Sequence, residues 1–145
     1  MTDHLSRSKR SWNMSRIRSK NTKPELIVRK VLHNSGIRYR LHARNLPGKP
    51  DLSNKSKNFA IFVNGCFWHQ HKGCKRASIP KSNTDYWIPK LEKNVNRLKE
   101  NLKTLDTMGY RTAVIWECEV NDENKMSKFI EKIKKLILFM LELLL

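Results

Sequence analysis

Acidic side chains are scarce in this chain. Thirteen Asp and Glu stand against 30 Lys and Arg among 145 residues, a formal charge of +17. A chain so unbalanced repels itself unless it meets a polyanion. Nucleic acid is the first candidate, because each neutralised phosphate releases condensed counterions, and an anionic membrane surface is the second. Long apolar runs are missing as well. The one such run, LILFMLELLL from Leu136 to Leu145, is too short to span a bilayer and carries Glu142. It reads as the end of an amphipathic helix that packs on the domain or on a partner. Residues 1–20 contain no apolar segment of the secretory kind, so a cytoplasmic location is expected. Cysteine is sparse: three residues, an odd number, argue against a disulfide framework and for thiolates in a reducing compartment. No internal repeat and no linker divides the chain. The length suits one core of helices packed on a sheet, and 39% hydrophobic residues suffice to build it.

What is present falls into order along the chain. Residues 1–23 hold Arg7, Lys9, Arg10, Arg16, Arg18, Lys20 and Lys23 against Asp3 alone. They read as a basic arm, disordered when free, that orders on DNA. Residues 24–145 read as a single domain. A first helix begins at TKPEL, where Thr22 and Glu25 have capping-box spacing and Pro24 suits a first turn. Ile27, Val28, Val31 and Leu32 give it an apolar face, and Gly36 stops it. IRYRL, residues 37–41, alternates like a half-buried strand. LPGKP is a turn, Asp51 opens the next extended segment, NKSK breaks it, and FAIFV, residues 59–63, is a buried strand. After an irregular stretch to about Asp85, Leu91, Val95, Leu98, Leu102 and Leu105 mark a helix that Gly109 ends. TAVIW, residues 112–116, is another buried strand, and a charged helix follows from about Asn121. The sum is a small mixed α/β sandwich around a central sheet.

The densest chemistry lies in NGCFWHQHKGC, Asn64 to Cys74. Cys66, His71 and Cys74 have C-x4-H-x2-C spacing, and Cys118 stands just past a strand. Structural zinc takes four soft or borderline ligands in a tetrahedron, and three cysteines with one histidine is a common set. Such a site would use every cysteine in the chain. Sequence spacing alone leaves His69 and His71 both eligible for the nitrogen. A site closed by four protein ligands has no open position for substrate, so its task is to pin the loop and aim Phe67, Trp68 and His69.

Four blocks in order, NMSRIRSKNTKPE, LPGKPD, FVNGCFWH and VIWECEV, resemble the very-short-patch repair (Vsr) DNA mismatch endonucleases. The resemblance runs from Ser11 to Val120. It implies a restriction-endonuclease-like α/β fold with a central mixed sheet flanked by helices, one structural zinc, and Mg2+-dependent nicking of one DNA strand. The nick falls 5′ of the T in T·G mismatches left by deamination of 5-methylcytosine. Carried over by position, Asp51 is the Mg2+-binding carboxylate, with an oxygen ligand from the Val63 carbonyl. His69 is the general base. Glu25 orients that histidine or a metal-bound water. Cys66, His71, Cys74 and Cys118 match the zinc ligands. Phe67, Trp68 and Trp87 match an aromatic wedge, and Met14 approaches with the basic arm from the minor-groove side. Asn64 departs from the family pattern, which carries Asp or His there: an amide takes no proton and brings no full charge. The expected partners are mismatched duplex DNA and a MutL-type repair protein, with the chain acting as a monomer and associated with the nucleoid. A zinc-stabilised binder of distorted DNA that does not cut is the reading Asn64 keeps open, with a restriction-type nuclease on the same fold as the third. His4, His33 and His42 belong to no constellation in the sequence and receive no role.

Overall fold

The structure, a computed structural model, describes residues 3–17 and 20–143. Arg18 of the basic arm and the last two leucines of the apolar tail lie outside the described residues. The elements are α1 (Arg7–Ser15), α2 (Lys23–Asn34), β1 (Arg40–Leu41), β2 (Leu52–Asn54), β3 (Phe59–Asn64), α3 (Thr84–Thr107), β4 (Arg111–Trp116) and α4 (Glu123–Leu143). One sheet has the order β1-β2-β3-β4. Its first three strands are antiparallel neighbours, and β3 and β4 run parallel, joined through α3. A parallel pair needs such a crossover, because a tight hairpin cannot return the chain in the same direction. The architecture is therefore a mixed α/β fold, a four-stranded sheet flanked by helices.

Strand periodicity explains why β3 is an unbroken apolar run. Phe59 and Ile61 point into a core with Val28 and Leu32 of α2, Ile115 of β4, and Phe129 and Ile133 of α4. Ala60 and Phe62 point the other way, onto Leu46, Leu105 and Tyr110. With helices on both faces, successive residues of the strand are buried alternately in two cores. Each fully buried aliphatic or aromatic side chain contributes roughly 1.5–3 kcal/mol, so the helices are held by these faces more than by their own propensity.

Three expectations are corrected. The strand expected over residues 37–41 shrinks to Arg40–Leu41. Ile37 is buried, but Tyr39 donates its hydroxyl to the Arg29 carbonyl at 2.9 Å, so this segment is held by α2 rather than by a ladder. The N-terminal arm is not structureless: Ser6 caps α1, accepting from Lys9 N. Its one acid anchors it. Asp3 accepts from the Trp87 indole and the Arg10 guanidinium, each at 2.8 Å, and its backbone is tied to Ser82 and Asn83. The capping box is half formed. Thr22 accepts from Glu25 N at 3.4 Å, but the Glu25 carboxylate turns elsewhere. In α4, Met126, Phe129, Ile130 and Ile133 are buried, while Leu138, Phe139, Leu141 and Leu143 of its last turns are exposed.

Candidate active site and metal centre

The C-terminal ends of the parallel strands β3 and β4 carry Cys66 and Cys118, two residues beyond each strand. The loop after β3 folds back through His71 N–H donating to the Cys66 carbonyl at 2.9 Å and Cys74 N–H donating to the His71 carbonyl at 3.2 Å. These turns bring the metal-binding atoms of Cys66, His71, Cys74 and Cys118 within 4.8 Å of one another. His71 Nδ1 lies 3.6 Å from Cys66 Sγ and 3.4 Å from Cys118 Sγ. Zinc–sulfur and zinc–nitrogen bonds at a tetrahedral angle require an edge of about 3.6 Å, so the donor set fits a zinc ion. The imidazole is stacked on Trp116, with ring centres 4.2 Å apart and planes 6° from parallel. Burial pushes the Cys66 thiol up to about 12, with the neighbouring sulfurs adding to the rise, as expected of thiolates crowded together without a cation. Cys74 is shifted down, chiefly by the backbone N–H of Arg76. The histidine that faces the sulfurs is His71; His69 points to the neighbouring cleft.

A second cluster forms where α2 meets the β1–β2 hairpin. The turn LPGKP delivers Asp51. Gly48 has φ +74°, and a Cβ there would meet the Asn101 side chain at 2.6 Å, so both backbone and space require glycine. Asp51 Oδ2 accepts from Val63 N at 2.7 Å, which binds it to β3. Glu25, on the first turn of α2, is 1% exposed. Its carboxylate is gripped on one oxygen by Arg29 and on the other by His42 Nε2 at 2.9 Å. Glu25, His42 and Asp51 bring one ligand atom each within 4.8 Å of the others. Burial, reinforced by the nearby Glu25 carboxylate, pushes Asp51 up to about 7. A buried and a half-buried carboxylate thus lie side by side, and hard oxygen donors suit Mg2+.

Beside the loop that follows β3 opens a cleft of about 680 Å³. Val63, Asn64 and Gly65 form its floor at the end of β3, Lys23 and Pro24 one wall, and Lys90, Asn94 and Arg97 of α3 the other. Met14 and Ile17 of the arm and Trp68 and His69 of the loop border it. Among the described residues, Asn64 Nδ2 and His69 Nδ1 are buried without a hydrogen-bond partner. Burial, then the charge of Arg97, lowers the His69 pKa, which favours the neutral ring. Glu117 also borders the cleft and accepts from Cys66 N at 3.1 Å, tying it to the metal loop.

The structure places Val63, Asn64 and His69 on the cleft and ties Asp51 to its floor through the Val63 N–H, with Glu25 beside Asp51 and one change of partnership. Glu25 is bonded to Arg29 and His42 and not to His69. His42 is the residue the sequence reading missed. The β1–β2 register pairs Leu41 with Leu52, and continuing it sets His42 opposite Asp51, where His42 N donates to the Asp51 carbonyl at 3.1 Å. That register was the available signal. The aromatics divide as well. Phe67 and Trp68 are half-buried and meet edge to face at 5.0 Å. Trp87 is 8% exposed and packs beneath them, its ring 5.5 Å from Phe67 and 6.0 Å from Trp68. It supports the pair and is not itself presented at the surface.

Comparison with known proteins gives concordant matches. A family model described as DNA mismatch endonuclease Vsr matches residues 2–76. The type II nicking enzyme V.XorIIP of Xanthomonas oryzae pv. oryzae is 48% identical over 122 residues, 84% of this chain and 89% of that protein. The type II nicking enzyme V.NmeAIP of Neisseria meningitidis serogroup A is 41% identical over 92% of this chain and 98% of its own length. The DNA mismatch endonuclease Vsr of Escherichia coli is 32% identical over 88% of this chain and 81% of its own. Among solved structures, the catalytic domain of the homing endonuclease I-Bth0305I superposes with a TM-score of 0.54 at 25% identity, covering 83% of this chain and 98% of that domain.

Proposed function

This chain belongs to the Vsr family of DNA mismatch endonucleases, and from that premise we propose that it nicks one strand of duplex DNA 5′ of the T in a T·G mismatch, with Mg2+ as cofactor. The observation that carries the reading is the Asp51–Glu25 pair, tied through Asp51 to Val63 N, beside a cleft that the unpartnered Asn64 and His69 atoms border.

Asp51, with the Val63 carbonyl, would hold the Mg2+. When bound, the ion would supply charge neutralisation at the scissile phosphate and a more acidic attacking water. His69 is placed to take a proton from an attacking water as general base. Asn64 cannot take a proton, but its free amide N–H donates to a phosphate oxygen and strengthens as charge builds there. Lys23, Lys90 and Arg97 steer the backbone into the cleft by charge. Cys66, His71, Cys74 and Cys118 would hold a structural zinc, which would fix the loop that aims Phe67 and Trp68. Those two rings enter the stack beside the mismatch over the buried Trp87. Unstacking costs a few kcal/mol and least where pairing is already poor, which favours a mismatch over a matched pair. Met14 and the basic arm close from the minor-groove side. The protein acts as a monomer, in the cytoplasm on nucleoid DNA, and a MutL-type repair protein is its expected recruiter.

The test is strand-resolved cleavage of a labelled duplex with one central T·G pair beside its matched twin, with and without added Mg2+. The expected result is a Mg2+-dependent nick in the T strand alone. Tight mismatch binding with no cutting would identify a non-catalytic binder, the outcome Asn64 makes worth testing. Cleavage of both strands of the matched twin would identify a restriction-type nuclease.

A further inference from the structure

His42 sits in the carboxylate cluster without a task in the reading above. Its ring Nε2 lies 2.9 Å from Glu25 Oε1, while Arg29 holds Glu25 Oε2. Glu25 is almost fully buried, and an isolated buried carboxylate would protonate or turn away from its neighbour Asp51. Here both of its oxygens are engaged, and the Arg29 charge offsets its own. In the tautomer with its proton on Nε2, His42 donates to Glu25, and Arg29 Nη2 lies 3.4 Å from the same nitrogen, so both side chains converge on the carboxylate. The backbone points the same way. His42 has φ +49°, in the left-handed region, and is held there by its N–H to the Asp51 carbonyl at 3.1 Å. Such conformations outside glycine concentrate where a side chain must be aimed. One residue is thus bonded to Asp51 through its backbone and to Glu25 through its ring.

We propose that His42, assisted by Arg29, is a positioning residue that clamps the Glu25 carboxylate beside Asp51 and so preorganises the divalent-cation site. The inference rests on the catalytic reading above for its use, but it is testable without cleavage. Groups that hold metal-binding residues in place change metal affinity or activity by about 10–100-fold when removed. In the full-length protein, His42→Ala should weaken binding of Mn2+, used as an electron paramagnetic resonance probe, by about tenfold or more. The Mg2+ concentration for half-maximal nicking should rise in parallel, with the rate at saturating Mg2+ largely restored. Duplex affinity without added divalent cation and zinc content should not change. His42→Gln, whose amide can still donate to Glu25, should recover most of the loss. In a Glu25→Gln background, His42→Ala should add little.

Unchanged Mn2+ binding in His42→Ala would overturn the clamp. So would a His42→Gln variant as impaired as His42→Ala, which would make the ring nitrogen a ligand in its own right. Should His42→Ala fold poorly, the His42→Gln and Glu25→Gln comparison decides on the same terms. Weakened Mn2+ binding in a protein whose parent nicks no T·G duplex would support the clamp and overturn the catalytic reading. Unaltered Mn2+ binding beside efficient nicking would do the reverse.

Discussion

At the scale of single residues, the carboxylate pair is held at a cost to stability. Asp51 is pushed up to about 7 by burial and by Glu25, so ionising it strains the folded state. Asp51→Asn keeps an oxygen for the Val63 N–H but removes the charge. In Mg2+-free buffer this variant should melt higher, by on the order of 1 kcal/mol, while nicking is lost and duplex binding stays. A lower melting temperature would mean that Asp51 is mainly structural. Trp68 offers a second single-residue test. Trp68→Ala should reduce the preference for T·G over matched duplex more than it reduces affinity for either. Equal losses in competition binding would count against a wedge. Trp87, buried beneath, should instead act through stability when truncated, by about 3 kcal/mol or more.

At the scale of elements, two local assemblies can be separated from the rest. The loop after β3 has no regular structure beyond a single turn at Lys75–Ala77, and it is shaped by the cysteine and histidine cluster. Cys118→Ser should release zinc, loosen this loop and abolish nicking, as read by metal content and limited proteolysis between residues 65 and 83. A folded, active variant would rule out the four-ligand assignment. The other assembly is α1, none of whose residues is buried. Its anchor is Asp3. Burial works to raise that carboxyl, but hydrogen bonds from Trp87, the Leu5 backbone, Arg10 and Asn83 hold it down at about 2. The folded value lies below the ordinary 3.8, so the contribution to docking is complete above that pH and is lost as pH falls through about 2. The Trp87 indole proton resonance should shift over this window. In Asp3→Asn the shift should be absent, and an identical titration in that variant would assign it to another group.

At the scale of the whole molecule, charge and shape act together. A formal charge of +17 on a small domain gives a long-range attraction for DNA that carries little sequence information. Binding to matched duplex should fall by about tenfold or more between about 50 and 200 mM salt, linearly on logarithmic axes. A mismatch preference set by unstacking rather than charge should change far less. A preference that collapses in step with affinity would place discrimination in the electrostatics. Lys90 and Arg97 of α3 and Trp68 of the loop after β3 border the cleft at the end of β3, and Asp51 is bonded to Val63 there.

Much of this was legible in the sequence. The apolar run of β3, the leucine periodicity of α3 and the Thr22 cap declare their elements because contacts inside an element follow its own period. The zinc donor types and Asp51 could be named from local motifs and a family resemblance. What the sequence left open was decided by residues far apart in the chain. His71 rather than His69 joins the sulfurs because Cys118, 47 residues later, reaches the loop from the parallel strand β4. Trp87 lies buried beneath the pair, where Asp3, 84 residues earlier, accepts its indole hydrogen. Glu25 meets His42, 17 residues on, and both meet Asp51 only because the β1–β2 register sets them opposite one another. Residue type and local spacing fix which groups are available. Sheet register and helix packing fix which of them meet, since those contacts depend on chain segments that no local period relates.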